Sequence, residues 1–351
     1  MTKIIILLFF FTSIFSKEIC ILNFNKQVCK EFKLLDSVII KSSLSKKELS
    51  LKLSKELKQI AFLEKYNIFL VNSINPLEFS KELSKKSYIV YAQPNIIQKR
   101  EKNFQKSYKI SNKYNLHNIW KTTKGEGVNI AIIDDGFDLG HEDLKGLNLL
   151  FSYDADNKRL DASPQLKMDT HGTQVLGIIF AQHNGIGIDG IAPKANLIAI
   201  RQTKNITSDT IISFSVAQKV GANIINCSWN SPLLLEPIYD IIKHLSKKIA
   251  IVFAAGNNAR ELQPFSTEAS IDEVITVATN NKYSNYGENI DFILSSNIKT
   301  TKRSNQYGNF NGTSAVEPVV SGLLALKISQ KTDIDLQEII HELKEDYNFY
   351  D

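Results

Sequence analysis

The sequence predicts an α/β fold: a parallel sheet with helices on both faces, preceded by a small α+β unit. Three observations predict it. From Val128 onward, short and almost wholly apolar runs alternate with longer amphipathic segments, the pattern of strands buried on both faces and separated by helices. Before that, a shorter stretch reads strand, helix, strand, helix, strand. Between the two lies a polar, Lys-rich segment, Gln98-Lys99-Arg100-Glu101-Lys102-Asn103, which serves as a linker.

The elements follow in chain order. Residues 38–40 are a β-branched run and predict a strand. Ser45 with Glu48 forms a capping box that opens a helix to about residue 60. Residues 68–71 predict a second strand. Asn75-Pro76 places Pro at the first position of a helix that ends near Ser84. Residues 88–91 predict a third strand, so the unit is a compact sheet with two helices on one face. Beyond the linker, strands are predicted over 128–133, 196–200, 223–226 and 249–254, with further ones near 274–278 and 292–294. Helices are predicted over 172–181, 208–220, 234–246, 315–330 and 335–343.

The chain has 351 residues, 43% hydrophobic and 23% charged, which excludes a fibrous or mostly disordered protein. Lys3 followed by the apolar stretch 4–15 and Ser16 reads as a cleavable export signal over 1–16. That stretch is short of the roughly 20 residues needed to cross a bilayer. It therefore predicts an exported protein, periplasmic or extracellular, with no stable membrane span once the signal is removed. Residues 17–106 carry 18 Lys and Arg against 9 Asp and Glu, and residues 107–351 carry 23 against 28. A basic front segment on an acidic body suits an intramolecular partner. The basic residues are scattered without aromatic interleaving, so nucleic acid is not a predicted partner. Cys20 and Cys29 either pair or remain free thiols, and Cys227, in an apolar run, reads as a buried small residue.

Four residues carry candidate chemistry. Asp134 is the first residue past the strand 128–133, where functional groups of open parallel sheets collect; alone it reads equally as a turn or cap. His171 opens a helix within Asp169-Thr170-His171-Gly172-Thr173. Ser314 starts an apolar helix within Asn311-Gly312-Thr313-Ser314-Ala315, where helix amides favour developing negative charge. Asn257, in Ala255-Gly256-Asn257-Asn258, offers a carboxamide donor for an oxyanion.

Together the segments around Asp134, His171-Gly172-Thr173 and Gly312-Thr313-Ser314-Ala315 resemble the three catalytic segments of the subtilase family, in its order Asp, His, Ser. Ala255-Gly256-Asn257, Gly190-Ile191-Ala192-Pro193 and Asn226-Cys227-Ser228-Trp229 also match in type and place, so the resemblance covers about residues 107–330. It implies a secreted serine endopeptidase with Asp134, His171 and Ser314 as its triad, Asn257 in the oxyanion hole, protein or peptide substrates, and no cofactor in the chemistry. It implies four regions: signal peptide 1–16, inhibitory propeptide 17–100 acting as an intramolecular partner, linker 101–124, and catalytic domain 125–351. It also implies structural Ca²⁺ near Asp143 and Asn184.

Asp135 directly after Asp134, Ser228-Trp229 and Glu268 resemble the kexin- and furin-like branch. They raise the expectation of a substrate-binding set Ser228, Trp229 and Glu268 that prefers basic residues, with Lys99-Arg100 as a self-cleavage site. Against this, residues 230–233 lack the acid that branch places there. Glu317, one turn after Ser314, stands where the family holds a small or neutral residue. It leaves open a second reading, a catalytically impaired binding protein of the same fold. A nucleotide-binding domain is excluded, because Asp134-Asp135 stands where a phosphate loop would be.

Overall fold

The computed structural model describes residues 18–24, 26–98, 114–331 and 335–347. The predicted signal 1–16, Lys99-Arg100 and most of the linker lie outside the described residues.

The chain opens with a hairpin, β1 (Glu18–Asn23) and β2 (Lys26–Glu31), in which Cys20 faces Cys29 and the two form a disulfide. Then follow β3 (Lys33–Ser42), α1 (Lys46–Leu53), β4 (Leu57–Leu63), β5 (Tyr66–Asn72), α2 (Pro76–Leu83) and β6 (Tyr91–Ile97). The sheet order is β4-β5-β3-β6, antiparallel throughout. The capping box of α1 is present, but the helix stops at Leu53 instead of continuing to about 60. Ser54 takes a left-handed φ of 50°, and the next residues form β4, burying Leu57, Ile60, Ala61 and Leu63. The strand predicted over 88–91 lies at 91–97, because the register with β3 places Ala92, Gln93 and Pro94 opposite Ile40, Ile39 and Val38. β6 is at the sheet edge, which accommodates a proline.

The large domain contains α3 (Leu116–Ile119), β7 (Asn129–Asp134), β8 (Asn148–Asp154), α4 (His171–Phe180), β9 (Asn196–Arg201), α5 (Thr207–Val220), β10 (Ile224–Cys227), α6 (Glu236–Leu245) and β11 (Ala250–Ala254). It continues through β12 (Ile275–Thr279), β13 (Phe292–Leu294), β14 (Ile298–Lys302), β15 (Gln306–Phe310), α7 (Thr313–Ser329) and α8 (Leu336–Asp346). Seven strands form a parallel sheet in the order β13-β12-β11-β10-β7-β9-β8. Alternation along the strands divides the core. Ile130, Ile132, Leu197 and Val252 face α4 and α7, while Ala131, Ile133, Ile198 and Phe253 face α5 and α6. Burying each such large side chain stabilises the fold by about 1.5–3 kcal/mol. The edge strand β8, whose short apolar run leaves Leu149 and Leu150 exposed, and the hairpin β14-β15, which carries no apolar run, were not predicted.

The N-terminal sheet covers α1 and α2 with one face, through Val38, Ile40 and Phe69. Its other face, with Ile39, Ile68 and Ile96, packs on α5 and α6. Neither α5 nor α6 begins with a capping side chain, since Ile206 and Leu235 stand at those positions. The N-terminal unit supplies both caps. Asn95 Oδ1 accepts from the Ser208 N–H at 3.1 Å, and Asn23 Oδ1 accepts from the Glu236 N–H at 2.8 Å. Phe24 at the hairpin tip stacks edge-on with Tyr239 and lies 5.3 Å from the Phe265 ring. β6 leads its chain onward along residues 205–206, with Ile97 bridging Ile206 and the Gln98 N–H donating to the Asn205 carbonyl.

Candidate active site

β7 lies between β10 and β9, so the carboxyl ends of these strands open onto one crevice. Asp134 ends β7 and is buried. Its Oδ2 and Oδ1 lie 2.8 and 2.9 Å from His171 Nδ1, fixing the imidazole from one side. Asp135 accepts the N–H groups of His171 at 3.1 Å and Gly172 at 2.8 Å. It therefore caps α4 from outside the helix and complements its positive end. The two adjacent acids divide the work: one orients the ring and the other the helix that carries it. Gly172 is required by the close approach, since a Cβ there would lie 2.6 Å from the Gly136 carbonyl oxygen and 3.1 Å from Asp134 Cβ.

The loop before His171 is held by a buried ion cluster that sequence reasoning missed. Arg201, at the end of β9, pairs with Asp169 at 2.8 Å and Asp156 at 3.0 Å, and Asp169 also accepts the N–H groups of Gln165 and Leu166. The available signal was an arginine closing an otherwise apolar strand.

Ser314 stands in the first turn of α7, where its N–H has no intrahelical acceptor. Its Oγ donates to the Ser228 carbonyl at 2.8 Å. His171 Nε2 is buried without a hydrogen-bond partner, and the ring meets Phe310 edge-on at 5.1 Å. Asp134 and His171 are thus joined, whereas the serine hydroxyl rests on Ser228. Asn257 Oδ1 accepts the Thr313 N–H at 3.0 Å, and Thr313 Oγ1 accepts the Gly256 N–H at 3.1 Å. These bonds tie the end of β11 to the start of α7 and leave Nδ2 as the remaining donor of Asn257. Gly312, at φ 72°, lies so close to Asn257 that a Cβ would meet Oδ1 at 2.7 Å.

A cavity of about 470 Å³ adjoins the pair, lined in part by Asp134, His171, Met168, Gln202 and Trp229. Of the expected substrate-binding set, Trp229 lines this cavity, with its ring anchored by Nε1 donating to the Ile133 carbonyl at 2.7 Å. Ser228 is fully buried. Glu268 is 1% exposed, and its carboxylate accepts the Ser231 N–H at 2.8 Å. It is turned toward the backbone at Ser231.

Of the expected calcium ligands, Asp143 is buried and Asn184 exposed. Asp143 Oδ2 accepts the Ile188 N–H at 2.9 Å, while Oδ1 is buried with no partner. Burial pushes this carboxyl above its ordinary range. Asn184 Oδ1 accepts the Ile186 N–H at 2.8 Å. Among the described residues no three His, Cys, Asp or Glu side chains cluster as metal ligands. Among them, too, no helix is long and apolar enough to cross a membrane.

The comparisons with known proteins agree with the sheet and its crevice. Residues 125–344 match the model of the Subtilase family. The Thermophilic serine proteinase of Bacillus sp. (strain AK1) is 30% identical over 298 residues, covering 79% of this chain and 72% of the relative. The Major intracellular serine protease of Bacillus subtilis (strain 168) is 32% identical over 234 residues, covering 59% of this chain and 70% of the relative. Among solved structures, fervidolysin from Fervidobacterium pennivorans superposes with a TM-score of 0.68 at 18% identity, covering 85% of this chain and 55% of that one. Fold and similarity define a serine-type peptidase. The chain belongs to the subtilase family.

Proposed function

We propose that the protein is an exported endopeptidase made as a zymogen, with Asp134, His171 and Ser314 as its triad. The observation that carries this reading is the imidazole held at Nδ1 by both oxygens of Asp134 while Nε2 is left without a partner. In the reaction Ser314 Oγ leaves the Ser228 carbonyl and attacks the carbonyl carbon of a peptide bond. His171 Nε2 takes the hydroxyl proton and returns it to the leaving amine. Asp134 keeps the Nδ1–H tautomer and stabilises the imidazolium. Asn257 Nδ2 and the Ser314 N–H donate to the oxyanion, and water then releases the acyl group by the same steps in reverse. No step requires a cofactor. A fluorophosphonate probe tests this directly: Ser314 should be the labelled residue, and labelling elsewhere alone would remove it from the role.

Residues 17–100 act, in this reading, as the inhibitory propeptide, and 1–16 as the signal that exports it. Support comes from the two caps that this unit gives α5 and α6, and from the course of β6 along residues 205–206 toward the crevice. In a Ser314→Ala chain, kept intact by loss of the nucleophile, Asn23→Ala and Asn95→Ala should each cost about 1 kcal/mol. Thermal unfolding would register each as a fall of roughly 2–4 °C. Glu268 is spent on an internal backbone bond, so a preference for basic residues is left out of this reading.

Structural Ca²⁺ is part of the proposal. The buried Asp143 Oδ1, which has no hydrogen-bond partner, fits a hard cation, with Asn184 and carbonyls of residues 182–188 as the further oxygen donors. Millimolar Ca²⁺ should raise Tm by several degrees and chelator should lower it. Asp143→Asn should abolish the response, and a Tm indifferent to both treatments would count against the site.

A further inference from the structure

Glu317 takes no part in the steps above, yet it is fully buried one helical turn after Ser314 on α7. Its Oε2 accepts from Ser228 Oγ at 2.5 Å and its Oε1 from Ser321 Oγ at 3.0 Å. Ser228 Oγ also accepts from Asn226 Nδ2 at 3.0 Å. The main-chain carbonyl of the same Ser228 holds the Ser314 hydroxyl at 2.8 Å. One residue is therefore gripped by Glu317 through its side chain and grips the nucleophile through its backbone.

We propose that Glu317 is a positioning residue: by fixing Ser228 it fixes the carbonyl on which the Ser314 hydroxyl rests. This rests on Ser314 as the nucleophile. The surroundings favour the neutral acid. Among the described residues the titratable group acting on Glu317 is Asp134 at the end of β7, whose own partner is His171 on α4. β10 and the residue after it contribute Asn226, Cys227 and Ser228, while β11 and β12 carry no titratable side chain. On α8, Glu342 and Asp346 pair with Lys327 and Lys331 at and beyond the other end of α7, and Glu345 pairs with His341. With no cation among the described residues acting on it, burial pushes the carboxyl up to about 8. A neutral acid can be replaced by an amide of the same shape, so Gln should serve where Ala cannot.

The test is the rate at which fluorophosphonate labels Ser314 at pH 7, with kcat and KM on a peptide substrate. Glu317→Gln should label within about threefold of wild type. Glu317→Ala and Ser228→Ala should each label at least about tenfold slower, with the loss in kcat and not in KM. The double variant should be no slower than either single one, because both break one chain of contacts. Ser321→Ala removes the other Glu317 partner without touching Ser228, so it should lose stability but label at the wild-type rate. Wild-type labelling in Glu317→Ala, or equal slowing in Ser321→Ala, would overturn the proposal and leave Glu317 as packing. If Glu317→Ala does not fold, Ser228→Ala, which removes one oxygen, decides the same comparison. A wild-type chain that does not label would remove Ser314 itself, a different failure from an active enzyme indifferent to Glu317.

Discussion

Ser314→Ala is expected to lower kcat by roughly a millionfold, to the rate that binding and the oxyanion donors alone provide. In the proposed mechanism the Ser314 hydroxyl, held on the Ser228 carbonyl, forms the acyl intermediate, and alanine offers no group to replace it. Asn257→Ala should fall less, by about 10²–10³ in kcat with KM little changed, because its carboxamide stabilises only the charge that develops after attack. The two losses should not multiply in full: once the nucleophile is gone, Asn257 serves only the slower direct attack of water, in a geometry it was not built for. Initial rates on a fluorogenic peptide measure all three proteins. A Ser314→Ala protein that keeps a tenth of its activity would place the chemistry elsewhere.

Glu317→Gln is expected to change how stability depends on pH. The ordinary carboxyl value is 4.5, and burial raises Glu317 to about 8. The unfolded chain thus releases this proton near 4.5, while the folded chain keeps it until about 8. Between those values the unfolded state binds fewer protons, so stability falls as pH rises. The slope is about 1.4 kcal/mol per pH unit, which reaches about 5 kcal/mol across the whole window. Below 4.5 the penalty is absent, and above 8 it is complete. Glutamine does not titrate and should remove this fall. Urea unfolding at pH 5 and pH 8, in the Ser314→Ala background to prevent self-digestion, compares the two. Parallel pH dependences would show that Glu317 ionises as freely in the fold as outside it.

The central sheet was legible because its strands are buried on both faces, so each reads as an unbroken apolar run with little dependence on distant residues. The strand ends were legible for the same reason, and with them the positions of Asp134 and Asn257. What escaped depends on partners far away in the chain. β4 was merged with the preceding helix because the break at Ser54 is a backbone conformation, not a composition. β14-β15 is held in part by Thr300 and Thr301 donating to carbonyls of α4, a contact that no local pattern encodes. Asp135 suggested a specificity branch from its place beside Asp134, but its oxygens cap α4. Glu268 suggested a charged pocket, but its carboxylate is bound to Ser231. In both cases residue type was plain in the sequence and orientation was not. Glu317 was visibly out of pattern, and Ser321 is its neighbour one turn along the predicted helix, yet only the fold brings Ser228 to it.

If the front unit is the removable segment proposed above, the borrowed caps of α5 and α6 make the large domain a product of its history. Asn23 and Asn95 complete two helix ends that the rest of the chain leaves open. Cutting the front unit away would withdraw those bonds after the sheet has closed, so the shortened molecule would persist behind an unfolding barrier more than through a favourable equilibrium. Its durability would then be counted as a half-life, and once melted it should not find its way back without the segment it had shed.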